Sequence, residues 1–295
     1  MNIAFWNVNK KLLSSEIADL AIDNDIDVLI LAECSEATSA ILHELNLKAL
    51  TGGYYFYEVT TISDKTAKRL PLKFITKIPQ SQIRPVQDSP ANYYSVKEVA
   101  LVGTNILICG VHLPSKLHKR EYKLAQFARE ICPEILNIEK LNNNKNTIVI
   151  GDFNMNPFDE GIAEDDAFFA VSSRIIALRQ YRRGKENIFY NPTWNLYGDY
   201  PAPPGTYYKP GGYRNLFWHS LDQVLLRPPL IENYVEGSLK ILTKIGPKNL
   251  LTNYGFPNST KYSDHLPIIF SIKSESEMNA GNLLLNKNKE ILQYE

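Results

Sequence analysis

Polar side chains that can exchange protons or hold a hard cation stand directly behind apolar runs at several places in the chain. Asn7 follows Ile3-Ala4-Phe5-Trp6, Glu33 follows Val28 to Ala32, His112 follows Ile106 to Val111, and Asp152 with Asn154 follows Thr147-Ile148-Val149-Ile150. Asp222 stands in Ser220-Leu221-Asp222-Gln223-Val224, and Asp264 adjoins His265 just before Leu266-Pro267. A strand fixes the backbone while the loop behind it leaves the side-chain tip accessible, so such endings gather functional groups at one edge of a sheet. Each residue alone has a plainer reading: Asn7 as a turn former, Glu33 as a surface charge, His112 as a core histidine, Asp222 as a strand-end cap. The recurrence of the pattern carries the functional reading, a set of catalytic side chains gathered at one sheet edge.

The elements that must position these groups are legible in outline. Leu13, Ile17, Leu20 and Ala21 recur at helical spacing behind Ser14 or Ser15 as N-cap, which predicts a helix between the first two strands. From Tyr54 to Lys77 the alternation of Tyr, Val, Thr, Ile and Phe predicts antiparallel strands, and Tyr94 to Leu101 with Ile106 to Val111 reads as a hairpin around Gly103. Lys119 to Leu141 carries Leu124, Phe127, Ala128, Ile131, Ile135 and Ile138 on one side, a helix that Pro133 is expected to kink. Leu221 to Leu226, Leu239 to Leu242 and Leu266 to Ile272 read as further strands. Strands mixed with helices, with neither a linker nor a repeat, predict one α/β or α+β domain over 1–273 in which two sheets pack with helices outside. Residues 274–295 read as a polar tail with a short helix around Leu283 to Leu292.

Composition sets the bounds. The 295 residues are 44% hydrophobic and 22% charged, ordinary for a folded globular chain. Lys plus Arg equal Asp plus Glu at 32 each, so no overall field favours a polyanion or a membrane surface, and any polyanion site must be local. Cys34, Cys109 and Cys132 are odd in number and lack CxxC spacing, which suits reduced thiols in a cytoplasmic protein. No apolar run approaches a membrane span, and the strand-like start at Met1 leads us to expect no secretory signal.

Gly151-Asp152-Phe153-Asn154-Met155-Asn156-Pro157 and Ser263-Asp264-His265-Leu266-Pro267 are the most specific segments. Taken with Trp6-Asn7, Ala32-Glu33 and Gly110-Val111-His112-Leu113-Pro114, in this order from Asn2 to about Ile272, the chain resembles the endonuclease/exonuclease/phosphatase superfamily of metal-dependent phosphoesterases. The resemblance implies a deoxyribonuclease I-like four-layer α/β sandwich, two mixed sheets flanked by helices. It also implies Mg2+ (or Mn2+) as cofactor, with Glu33 as principal ligand, Asn7 beside it and Asp264 as a second contact. Asp152 is expected to orient or deprotonate the attacking water, and Asn154 to stabilise charge on the phosphorane-like state. His265 is expected at the scissile phosphate or in proton transfer, with Asp222 as its partner. His112 matches the deoxyribonuclease-like, sphingomyelinase-like and inositol-phosphatase-like branches rather than abasic-site endonucleases, which carry Tyr there. The segment from Arg69 to Phe74 lacks the glycine that many members have.

For substrate, the segment between Asp152 and Asp222 is rich in aromatic and basic residues. Cations beside rings suit a phosphate backbone with stacked bases, whereas such segments also build small satellite cores. Arg182, Arg183, Lys185 and Trp218 are the candidate substrate contacts, and His118, Lys119 and Arg120 could flank the same cleft; His43 and His219 read as structural. The preferred expectation is a nuclease acting on DNA or RNA. The alternatives are an enzyme for a small-molecule or lipid-headgroup phosphate, inositol phosphate or sphingomyelin in type, and a catalytically inactive binding module.

Overall fold

The opening apolar run forms β1 (Asn2–Asn7), α1 (Ser14–Asp23) follows, and β2 (Val28–Ala32) lies parallel to β1. The first turn of α1 has Leu13 at its N-cap with no side-chain cap, and the Glu36 carboxylate instead accepts the Leu13 N–H at 2.8 Å. Next come α2 (Thr38–Ala49), which the sequence pattern did not reveal, β3 (Tyr57–Val59), β4 (Lys73–Thr76), β5 (Ile83–Asp88), β6 (Tyr94–Leu101) and β7 (Thr104–His112). The long helix α3 (Glu121–Leu141) runs through Pro133 and leads to β8 (Thr147–Asp152), α4 (Glu160–Ala163), β9 (Ala170–Val171), α5 (Arg174–Arg182) and β10 (Phe189–Tyr190). The remaining strands are β11 (Tyr207–Tyr208), β12 (Trp218–His219), β13 (Asp222–Leu226), β14 (Lys240–Ile241), β15 (Lys244–Ile245), β16 (Lys248–Asn249) and β17 (Ile268–Ser271). The computed structural model describes residues 1–60, 69–101, 103–115, 121–211 and 216–273. The polar tail and His118 to Arg120 lie outside them.

Two large mixed sheets carry the fold, ordered β14-β17-β1-β2-β4-β3 and β5-β6-β7-β8-β13-β10-β9. The period-two rule shows how they stack. Along β8, Ile148 and Ile150 join one buried cluster with Phe5, Ile30 and Phe74 of the first sheet, whereas Val149 joins a second cluster with Leu124, Ala128 and Ile135 of α3. Ile17, Leu20, Ile41 and Leu45 cover the other side of the first sheet from α1 and α2. The layers are therefore helices, sheet, sheet, helix, the four-layer α/β sandwich expected. Gly110 of β7 sits where the sheets approach closely: a Cβ there would lie 2.9 Å from the Phe74 ring and 3.2 Å from Ile30. Because both faces of the central strands are covered, they read as unbroken apolar runs.

The three cysteines are buried free thiols. Among the described residues, no helix is long and apolar enough to cross a membrane.

Candidate active site

Register brings the strand ends together. β7 and β8 are parallel with His112 opposite Asp152, and β13 is antiparallel to β8 with Asp222 opposite Asp152, so three chemistry-bearing residues lie side by side at one sheet edge. Gly151 permits this approach: with φ at +152° it passes so close to Val111 that a Cβ would fall 1.9 Å from the Val111 carbonyl oxygen. In the facing sheet, β1 and β2 end at Asn7 and just before Glu33, and the Asn7 amide donates to Asp152 Oδ2 at 3.0 Å and to Glu33 Oε1 at 3.4 Å. Glu33 and Asn154 both hold positive φ, +49° and +53°. These are uncommon conformations for such residues, and both occur where a strand ends at the site.

Asp152 Oδ2 is the meeting point. His112 Nε2 and His265 Nε2 each lie 3.9 Å from it on top of the Asn7 bond, and Asp152 Oδ1 accepts the Asn154 backbone N–H at 2.8 Å. Burial, with the Asp222 charge adding to it, pushes the Asp152 carboxyl above its ordinary range, while the two histidines act in the opposite sense. His265 Nδ1 bonds Asp222 Oδ2 at 2.8 Å. Burial alone would lower its titration, but the Asp222 and Asp152 carboxylates outweigh burial and raise it to about 10, so His265 is an imidazolium at neutral pH. Glu33 is held down at about 2, chiefly by His112, whose Nε2 lies 3.4 Å away, against the opposing effect of burial.

Several side chains that the sequence reading passed over complete the frame. Ser263 donates to the Asn7 carbonyl at 2.6 Å and its hydroxyl accepts the His265 N–H at 3.1 Å, tying the last motif to the first. Trp6 donates its indole N–H to the His265 carbonyl at 2.9 Å, and the Tyr207 ring packs on His265 with centroids 4.9 Å apart. Thr206 Oγ1 accepts the Asp222 N–H at 3.2 Å. His219, read from sequence as structural, meets the Asn156 amide at 3.1 Å on the rim of the site. Arg69 reaches His112 Nε2 at 3.1 Å. Trp6, Asn156 and Ser263 had a signal, since each stands in one of the quoted motifs; Thr206, Tyr207 and Arg69 depend on contacts across long stretches of chain.

Placement differs from expectation at several residues. Asn7 turns its amide nitrogen to the two carboxylates while its Oδ1 accepts the Asn9 N–H at 3.0 Å, so it bridges Glu33 and Asp152. The Asn154 amide donates to the Leu113 carbonyl at 2.9 Å. Asp264 Oδ1 lies 3.4 Å from the Ser263 hydroxyl, whose proton goes to Asn7, and its charge acts on His265 and Tyr207. Trp218 is a half-buried wall residue against Tyr208 and Phe256, with centroids 5.4 and 6.3 Å away. Arg182, Arg183 and Lys185 are not brought to the site. Glu186, beside them, pairs with Lys145 at 2.6 Å, and the neighbouring Ile188 carbonyl accepts from Arg227, which is anchored at Thr147. That is the opposite end of β8 from Asp152, about 17 Å away at the usual rise per residue.

Hard oxygen donors fit a divalent cation here. Among the described residues, Asp152, Asp222 and His265 form a cluster of donors within 4.8 Å of one another. The His265 imidazolium has no lone pair to offer, however, so Glu33, which one Asn7 amide holds close to Asp152, is the better-suited ligand.

The same fold recurs in solved structures. Zebrafish (D. rerio) TDP2 complexed with single strand DNA product is similar at a TM-score of 0.53 and 12% identity, over 93% of this chain and 99% of that one. The endonuclease domain of TRAS1, a telomere-specific non-LTR retrotransposon, gives 0.53 and 10% over 93% and 98%. The human Nocturnin catalytic domain with bound sulfate anion gives 0.51 and 15% over 93% and 94%. No curated protein matches the chain. The profile of one family matches residues 4–265, nearly the whole length, and the chain accordingly belongs to the Endonuclease/Exonuclease/phosphatase family, hydrolases of phosphoester bonds that depend on a divalent metal.

Proposed function

We propose that the chain is a Mg2+-dependent (or Mn2+-dependent) phosphodiesterase that cleaves DNA or RNA by in-line attack of water on phosphorus. The observation that carries this reading is the buried Asp152 carboxylate, faced at 3.9 Å by an imidazole on each side and joined through Asn7 to Glu33. Asp152, whose proton affinity is raised by burial, orients the water and takes its proton. The His265 imidazolium, held by Asp222, faces the developing negative charge on the phosphate oxygens. A divalent cation, which Glu33 would hold beside Asp152, would supply further charge neutralisation.

Nucleic acid is favoured over a small ester by an open aromatic cluster. Phe158 and Tyr197, 44% and 37% exposed, lie with Trp194 at centroid distances of 5.6 to 6.3 Å. Tyr197 donates to Asn156 at 3.4 Å, two residues beyond Asn154, so the rings extend the site as a surface on which bases can stack. The remoteness of Arg182 to Lys185 favours a second reading, a smaller phosphate ester or a lipid headgroup. Buried free thiols support a reducing, cytoplasmic location.

The test is hydrolysis of plasmid DNA, single-stranded DNA, RNA, an inositol phosphate and sphingomyelin with Mg2+ or Mn2+. Asp152→Ala and His265→Ala are each expected to lose about 10²- to 10⁴-fold in rate while staying folded. Full activity in both variants would refute the mechanism, and cleavage confined to the small esters would select the second reading.

A further inference from the structure

Arg69 lies just before β4, in the segment where family members often have glycine, and it points into the site. Its Nη2 donates to the Leu113 carbonyl at 2.9 Å and meets His112 Nε2 at 3.1 Å. The same Leu113 carbonyl accepts the Asn154 amide, so the guanidinium and Asn154 are fixed at one atom. Asn92 holds the Arg69 carbonyl at 2.9 Å, and the guanidinium carbon sits 5.0 Å from the centre of the Tyr93 ring. The cation is thus clamped by a carbonyl, a ring and an imidazole. None of these neutralises it. Asp152 and Glu33 act on it only as charges at longer range, and its buried Nε has no hydrogen-bond partner among the described residues.

Taking a guanidinium partly out of water with no carboxylate bonded to it among the described residues costs stability. Such a group is retained where an anion arrives to complete it, and the guanidinium fork matches two oxygens of a phosphate. We propose that Arg69 binds a non-bridging oxygen of the substrate phosphate, opposite His265 across Asp152. An inference of this kind rests on the phosphoesterase reading above. It adds a consequence for His112. Arginine has no acceptor, so in its contact with Arg69 the His112 Nε2 accepts; the 3.4 Å approach to Glu33 Oε1 would need a proton on that same nitrogen. Only one of the two can be a hydrogen bond at a time, so the lowering of the Glu33 carboxyl belongs to the arrangement in which His112 Nε2 carries the proton and Arg69 is held by the Leu113 carbonyl. When phosphate draws Arg69 away, His112 Nε2 is released toward Glu33 and the substrate.

The experiment is calorimetric titration of the full chain with inorganic phosphate, in chelator so that no metal binds the anion. Wild type is expected to bind, R69Q to weaken binding by about tenfold or more, and R69K, which keeps the charge and loses the fork, to weaken it by less. The KM for a generic diester should rise in R69Q with a smaller fall in kcat. A residue that merely props His112 would lower kcat and leave the phosphate Kd alone, and that result would overturn the proposal. So would an absence of phosphate binding by wild type. If R69Q does not keep its circular dichroism and Tm, R69K decides by the same titration. Phosphate binding lost in R69Q, in a protein whose wild type hydrolyses no ester, would uphold the Arg69 site and refute the phosphodiesterase reading.

Discussion

Asp152 Oδ2 is approached by Asn7, His112 and His265, three side chains from three segments, and its protonation depends on all of them. A second carboxylate, Asp222, stabilises the charged form of His265 on the far side. Because His265 is raised from 6.5 to about 10, the unfolded chain releases its proton at lower pH than the folded one. The pair therefore contributes stability that is fully present below pH 6.5 and is lost as pH rises toward 10. In chelator, the Tm of wild type should fall across that window, and Asp222→Asn should flatten the fall; equal slopes would contradict the pairing. The same variant should lose about 10³- to 10⁴-fold in kcat, as expected when an imidazole loses the carboxylate that orients it. Most of these residues were legible in sequence, since each lies at or just beyond the end of an apolar run. Arg69 was not. It lies in a loop, and its partner His112 is 43 residues away.

Elements were legible in proportion to their burial. β1, β2, β7 and β8 appear as apolar runs because both of their faces are covered, by the opposite sheet and by helices. α2 escaped notice because it buries only Ile41, Leu45 and Ala49, while Leu47 on the same helix is exposed, which blurs the amphipathic signal. β9 to β12 are two residues each, too short to leave a period. One polar tie between elements was also invisible. Arg227, at the end of β13, pairs with Glu139 of α3 at 2.8 Å, donates to the Ile188 carbonyl at 3.2 Å and stacks 3.7 Å from the centre of the Phe189 ring. Both charges are buried, so removing one strands the other. Glu139→Ala should destabilise the fold by about 3–5 kcal/mol in urea unfolding. A loss below about 1 kcal/mol would show that water reaches Arg227 once its partner is gone.

For the molecule as a whole, balanced charge implied that any polyanion site is local, and the structure shows where the cations lie. Sequence order could not tell which end of β8 the loop after α5 returns to; the Lys145–Glu186 pair and the Arg227 anchor place it at the Thr147 end. The cations at the catalytic end include Arg69, the His265 imidazolium and Lys10, whose charge acts on Glu33. On the proposed nucleic-acid reading, affinity should draw more on the Phe158, Trp194 and Tyr197 rings than on counterion release. Salt should expose this. With roughly two phosphates neutralised, log kcat/KM against log salt should have a slope of about −1.5, far shallower than for a protein that coats the backbone. The triple variant R182Q/R183Q/K185Q should leave both slope and rate within about twofold of wild type, because those side chains cannot reach a strand lying across Asp152. Tyr197→Ala should instead weaken single-stranded DNA by about 1–3 kcal/mol with the salt slope unchanged, since stacking carries no counterion term. A steep slope that the triple variant abolishes would mean the substrate wraps from the catalytic edge around to the far end of the sheet, and the stacking surface would then be secondary.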